Sequence, residues 1–101
     1  MADGGISTRV VKIEGDIVTT EVLNDGKIGS RKNMCLPGAF INLPTITKTD
    51  EHDAINFGLK HRVNFIAVSF ARAKKDIDYL RKILIEKDPT YGPCIQIISK
   101  I

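Results

Sequence analysis

Residues 62–68 read Arg62-Val63-Asn64-Phe65-Ile66-Ala67-Val68, a nearly continuous apolar run that indicates the fold class. Such a run is typical of a parallel strand covered on both faces. Residues 94–101 form a second run of this kind, and residues 74–86 between the two runs carry apolar side chains at helical spacing. Thr47, as a cap, predicts an earlier helix over residues 48–60. The order helix, strand, helix, strand predicts an α/β fold in which a helix joins two parallel strands.

In the first third of the chain, polar and apolar side chains alternate with a period of about two residues instead of the helical period. Residues 7–12 and 16–23 alternate polar and branched side chains, which predicts two strands joined by the turn Glu14-Gly15-Asp16. Residues 31–35 predict a third strand that completes an antiparallel meander. Leu36-Pro37-Gly38 then interrupts the pattern, so we expect a domain boundary here, with an antiparallel β part over residues 1–37 and an α/β part over residues 38–101.

Lys100 follows the last predicted strand, at the end of a parallel sheet where chemistry is usually placed. Two parallel strands with half-covered helices leave open sheet edges, and a closed (β/α)8 barrel takes about 250 residues. We therefore expect the chain to be a fragment of a larger protein.

Composition and charge exclude several classes of function. The chain has 101 residues, is 43% hydrophobic and carries a net charge of +3, with basic and acidic residues interleaved. This pattern favours a solvated surface, so we expect no nucleic-acid partner. No apolar run approaches the roughly 20 residues that cross a bilayer, and the amino end lacks a leader, so we expect neither a membrane partner nor export. The two cysteines and the two histidines have spacings that predict no metal ligands within this chain.

Five strings carry information beyond periodicity. They are Ala2-Asp3-Gly4, then Ile28-Gly29-Ser30-Arg31-Lys32-Asn33-Met34-Cys35-Leu36-Pro37-Gly38, then Asn42-Leu43-Pro44 with Thr47-Lys48-Thr49-Asp50, then Asn64-Phe65-Ile66-Ala67-Val68-Ser69-Phe70, and finally Ile97-Ile98-Ser99-Lys100-Ile101. In this order and spacing they resemble the pyruvate kinase family over essentially the whole chain.

The resemblance implies a fold and a reaction. Residues 1–37 would be the last strands of a small lid domain inserted into a (β/α)8 TIM barrel, and residues 38–101 would be a helix-strand-helix-strand segment of that barrel. Pyruvate kinases transfer the phosphoryl group of phosphoenolpyruvate to ADP, giving pyruvate and ATP in glycolysis. The resemblance further implies Mg²⁺ and K⁺ with ligands outside this chain, a cytoplasmic parent that is a homotetramer, and an isolated fragment that is inactive.

The resemblance also implies roles for five residues. Lys100 would be catalytic and bind substrate, because its ammonium neutralises charge on the moving phosphoryl group and on the enolate oxygen. Ser69 and Phe70 would line the substrate pocket, with Phe70 excluding water. Lys32 would contact a nucleotide phosphate. Asp3 would belong to the nucleotide side or to a turn.

Without the resemblance, Lys100 is a surface lysine on a strand end, and Lys32 belongs to a basic pair that guards a strand edge. The alternative function is then a noncatalytic small α+β module whose basic residues bind an anionic partner. Such a module would fold cooperatively as 101 residues alone, which a urea melt measures.

Overall fold

The chain divides into two units, Met1–Ile41 and Asn42–Ile101, in a computed structural model that describes residues 1–2 and 4–101. Each unit contains its own two-stranded sheet, antiparallel in the first and parallel in the second. The two units are described separately below.

Unit 1 is built on a hairpin of β1 (Thr8–Glu14) and β2 (Ile17–Val22). Gly15 has a φ of +56°, a conformation that glycine adopts in tight turns without steric cost. A bulge between Val10 and Lys12 shifts the register within β1. Both strands confirm the prediction made from the alternating pattern.

The predicted third strand at residues 31–35 is wrong, because the structure has no strand there. Arg31 has a φ of +57°, which lies in the left-handed region and is incompatible with an extended strand. The carbonyl of Asn33 instead accepts a hydrogen bond of 2.9 Å from the N–H of Ala2. The described residues of unit 1 therefore form a hairpin followed by an irregular segment, without the predicted meander.

Unit 2 begins its regular structure with α1 (Lys48–Asp53). Thr47 caps it as predicted: its hydroxyl accepts from the N–H of Asp50 at 3.3 Å, and the Asp50 carboxylate accepts from the N–H of Thr47 at 2.8 Å. The helix continues as a π-helical turn over Ala54–Leu59, whose wider winding places Ala54, Gly58 and Leu59 in the interior.

The remaining elements are β3 (Phe65–Val68), α2 (Lys74–Lys87), a 3₁₀ turn (Gly92–Cys94) and β4 (Gln96–Ser99). β3 and β4 pair in parallel, from Phe65 opposite Gln96 to Val68 opposite Ser99. This confirms the predicted order of helix, strand, helix, strand and an α/β arrangement in this unit.

The core of unit 2 lies between the helices and one face of the parallel pair. Its buried residues are Ala54, Leu59, Val68, Leu80, Leu84 and Ile95. The opposite face is open, since Phe65 is 55% exposed and Ile98 is 48% exposed. The expectation that β3 is covered on both faces is therefore wrong for this chain, because both of its helices pack on the same face.

Candidate functional site

The carboxyl ends of β3 and β4 lie side by side, and the residue after each strand carries a polar side chain. The Lys100 N–H donates to the Val68 carbonyl at 2.9 Å, and the Ala71 N–H donates to the Lys100 carbonyl at 3.2 Å. These bonds extend the parallel pairing past both strands, so Ser69 and Lys100 become neighbours. The Lys100 ammonium Nζ donates to the Ser69 hydroxyl at 3.3 Å.

Strand alternation decides which way these two side chains point. Successive residues of a strand face opposite sides of the sheet, so Ser69 shares a face with Phe65, and Lys100 shares a face with Ile98. This is the face that the helices leave open. Lys100 is accordingly exposed, and its ammonium is accessible to an anionic ligand on that side.

Phe70 turns the chain sharply out of β3. Its φ of +56° is uncommon for a residue with a bulky side chain and often marks a functional loop. The ring is 65% exposed. Within this chain the Phe70 side chain therefore excludes little water from the Lys100–Ser69 pair, and the water-excluding role remains a prediction.

A cleft of 540 Å³ lies along β3. The first helix contributes Asp50, Asp53, Ala54, Phe57 and Gly58 to its walls, and the β3 region contributes every residue from 65 to 70. None of the lining residues belongs to β4, so the cleft follows the edge of β3 that faces away from β4. Ser69 is common to the cleft and to the Lys100–Ser69 pair.

The two residues predicted to contact nucleotide belong to unit 1. Lys32 is exposed and lies in the irregular segment that follows the hairpin. Asp3 lies outside the described residues. Their predicted roles are not tested by the structure of unit 2.

The described part of the chain, residues 1–2 and 4–101, contains no group of three or more His, Cys, Asp or Glu side chains placed to hold a metal ion. His52 Nδ1 lies 3.5 Å from the Asp53 carboxylate, and the His61 ring is tilted by 47° against the Phe57 ring, with 4.8 Å between their centroids. None of the helices over these same residues is long and apolar enough to cross a membrane.

Sequence reasoning missed a polar cluster next to this site, formed by Thr45, Arg72 and Asp76. Arg72 follows Ser69 by three residues, which places it on the loop that leaves β3. The one available signal is Asp76, an acidic residue in the first turn of α2. Contacts between residues 45 and 72 leave no mark in a periodic pattern.

The Lys100–Ser69 pair can bind an anionic oxygen at the mouth of the parallel pair. A lysine ammonium acts as a compact point charge with three donors, which suits phosphate or carboxylate oxygens. The neighbouring hydroxyl can donate to the same ligand.

Comparisons with known proteins identify the family of this chain. A family model described as the pyruvate kinase barrel domain matches residues 1–101. The pyruvate kinase of Eimeria tenella is 45% identical over 101 residues, which cover 100% of this chain and 18% of that protein. The pyruvate kinase of Dictyostelium discoideum is 44% identical, with 100% of this chain and 19% of that protein covered.

A solved structure of Cryptosporidium parvum pyruvate kinase in complex with ADP superimposes with a TM-score of 0.82 and 40% sequence identity. The match covers 97% of this chain and 20% of that chain. This chain thus spans about a fifth of the length of the relatives that it matches. Because a family model matches it from end to end, the chain belongs to the pyruvate kinase family.

Proposed function

We propose that this chain is a segment of an enzyme that transfers the phosphoryl group of phosphoenolpyruvate to ADP, giving pyruvate and ATP in glycolysis. Family membership supports the reaction, and a relative that is 40% identical was solved with ADP bound. The family assignment also favours this function over a noncatalytic module that binds an anionic partner.

The observation that carries the proposal is the Lys100–Ser69 pair at the carboxyl ends of adjacent parallel strands, with 3.3 Å between Nζ and Oγ. In the reaction the bond between phosphorus and the enol oxygen breaks, and a terminal phosphate oxygen of ADP forms the new bond to phosphorus. Negative charge then rests on the enolate oxygen until a proton adds to the methylene carbon. Lys100 stabilises charge on the phosphoryl and enolate oxygens, and Ser69 orients its ammonium.

The domain assignment follows from the same proposal. Residues 1–37 are the last strands of a lid domain, and residues 38–101 are part of a (β/α)8 barrel. The open face of the parallel pair supports this, because side chains of a barrel interior would cover Phe65 and Ile98. The cleft along the unpaired edge of β3 is where a preceding barrel strand would pair.

Lys32 contacts a phosphate of the nucleotide from the lid, and Phe70 helps to exclude water from the substrate. Asp3 is assigned to the nucleotide side on the family resemblance alone. Mg²⁺ and K⁺ would neutralise phosphate charge when bound. The described residues hold no group of three or more His, Cys, Asp or Glu side chains placed for a metal ion. The family resemblance implies that the ligands of both ions lie outside this chain.

The proposed parent is a cytoplasmic homotetramer, as the family resemblance implies. The isolated chain is expected to be inactive, because it supplies cationic groups without the metal ligands. Its site is also open on the face that carries Lys100.

The test is a Lys100→Met substitution in the full-length protein, with pyruvate measured through lactate dehydrogenase. We expect kcat to fall by at least about 10²–10³-fold, as it does when a preorganised charge-stabilising group is removed. Lys75→Met is the matched control, since Lys75 is an exposed lysine of α2, and it should leave kcat within about twofold. Undiminished turnover in Lys100→Met, or pyruvate production by the isolated chain, would contradict the proposal.

A further inference from the structure

Three side chains of unit 2, Thr45, Arg72 and Asp76, form a hydrogen-bonded group that we call the Thr45 cluster. The Thr45 hydroxyl donates to the Asp76 carboxylate at 2.9 Å. It accepts from the Arg72 guanidinium, whose Nε and Nη2 each lie 3.3 Å from Thr45 Oγ1. Arg72 Nη2 also donates to the carbonyl of Leu43. One hydroxyl therefore bridges a carboxylate and a guanidinium.

Asp76 fastens the cluster to the start of α2. The same carboxylate oxygen accepts from the backbone N–H groups of Arg72 at 3.2 Å and Ala73 at 3.1 Å. Burial opposes the charged form, but the hydrogen bonds from Thr45, Arg72 and Ala73, together with the charge of Arg72, lower the pKa of Asp76 below its ordinary value. Asp76 is therefore ionised at neutral pH.

The cluster joins two segments that matter for the proposed reaction. Leu43 and Thr45 stand at the beginning of unit 2, directly after the last residue of unit 1, Ile41. Arg72 belongs to the loop that carries Ser69, and Ala71 of that loop donates its N–H to the carbonyl of Lys100. The segment that enters unit 2 is thus tied by side chains to the loop beside Lys100.

We propose that the Thr45 cluster fixes the first segment of unit 2, which contains Leu43 and Thr45, relative to Lys100, and that Arg72 and Asp76 are positioning residues for phosphoryl transfer. The inference rests on the proposed function, in which Lys32 of unit 1 contacts nucleotide and Lys100 of unit 2 contacts the phosphoryl donor. Transfer requires donor and acceptor oxygens in line, so a small displacement of the segment that contains Leu43 and Thr45 lowers the rate steeply. The cluster itself need not touch either substrate.

The test uses Thr45→Val and Thr45→Ser in the full-length protein. Valine removes the bridging hydroxyl, whereas serine keeps it. We expect Thr45→Val to lower kcat for pyruvate formation about tenfold, and Thr45→Ser to stay within about twofold of the parent protein.

A second readout separates positioning from damage to the Lys100 site. Exchange of the methyl protons of pyruvate with deuterated water proceeds through the enolate, which requires Lys100 but no transfer of phosphoryl between bound substrates. We expect Thr45→Val to keep this exchange within about twofold of the parent protein, because its Lys100–Ser69 pair is intact. Lys100→Met should lose both reactions.

Two results would overturn the proposal: an unchanged kcat in Thr45→Val, or equal losses of pyruvate formation and proton exchange. If circular dichroism shows that Thr45→Val does not fold, Arg72→Lys is judged by the same criteria, since lysine keeps the charge but lacks the guanidinium fork. Failure of the proposed function gives a different result, because the unsubstituted full-length protein would then form no pyruvate from phosphoenolpyruvate and ADP.

Discussion

Replacing Gly92 by alanine tests how the turn before β4 is held against α2. A Cβ at residue 92 would overlap the carbonyl oxygen of Leu84, and it would lie 2.5 Å from the carbonyl carbon of Leu84 and 2.9 Å from the amide nitrogen of Ile85. All three atoms belong to the backbone of a helix, so no side-chain rotation relieves the overlap. Ordinary contacts between non-bonded carbons are about 3.5–4.0 Å, and the turn must therefore move by about 1 Å.

The cost of this movement can be estimated from what surrounds Gly92. Its N–H donates to the carbonyl of Asp88 at 2.8 Å, a bond that the displacement would lengthen. Leu84 and Ile95 are both 0% exposed, so moving the turn also loosens the packing of the core. Overpacking costs about 1–3 kcal/mol, and because the neighbouring atoms are rigid backbone we expect a cost of about 3 kcal/mol for this substitution. A cost of this size makes the equilibrium constant for local opening of the turn about 100-fold larger in the variant than in the parent protein.

Hydrogen exchange of the full-length protein, followed by mass spectrometry of a peptide spanning residues 85–95, measures this opening. Gly92→Ala should exchange about 100-fold faster than the parent protein. Gly29→Ala is the control, because a Cβ there would meet only the flexible end of Lys32, at 3.8 Å. Exchange of Gly92→Ala within about threefold of this control would refute the steric argument.

Two further predictions concern side chains on the two units. Lys32→Ala in the full-length protein should raise KM for ADP at least about tenfold, as expected for the loss of a charge-assisted phosphate contact, while KM for phosphoenolpyruvate stays within about twofold. Equal rises in both values, or a similar effect of the control Lys27→Ala, would contradict the nucleotide role. On unit 2, the hydrogen bond from Tyr79, followed by the contact with Lys48, lowers the pKa of Glu51 against the opposing effect of burial. A lowered pKa in the folded state means that this contact stabilises the protein above the ordinary glutamate pKa of about 4.3 and is lost as pH falls through the folded value. Tyr79→Phe should therefore flatten the acid dependence of unfolding below about pH 5, and an unchanged dependence would argue against the contact.

Local sequence patterns correctly predicted those helices and strands whose signals lie within a few neighbouring residues. Thr47 and Asp50 form the predicted cap, and the alternation in the first third gives β1 and β2. The Lys100–Ser69 contact was also predictable in outline, because parallel strands bring their carboxyl ends to one edge. Periodicity and strand polarity both operate over a few residues, so a sequence records them directly.

Other features depend on contacts that no local pattern encodes. Arg31 has a positive φ that interrupts the predicted strand, and arginine as a residue type does not indicate a positive φ. Thr45 and Arg72 are separated by 27 residues and meet only once the unit has folded. The open face of β3 was also missed, because an apolar run indicates that a strand is to be covered without indicating whether the covering elements belong to the same chain.

The core of unit 2 and the direction of Lys100 are set by the same register. Ile95 is fully buried, and Ile97 packs against the core. Ile98 and Lys100 alternate with these residues and therefore lie on the opposite face, where Ile98 is 48% exposed. A slip of β4 by one residue would turn Ile98 into the core and Lys100 toward the helices, away from the open face. Burial of Ile95 opposes that slip at about 1.5–3 kcal/mol for a fully buried side chain. The apolar residues that precede Lys100 therefore do more than stabilise the strand, because they decide which face of the sheet carries its ammonium.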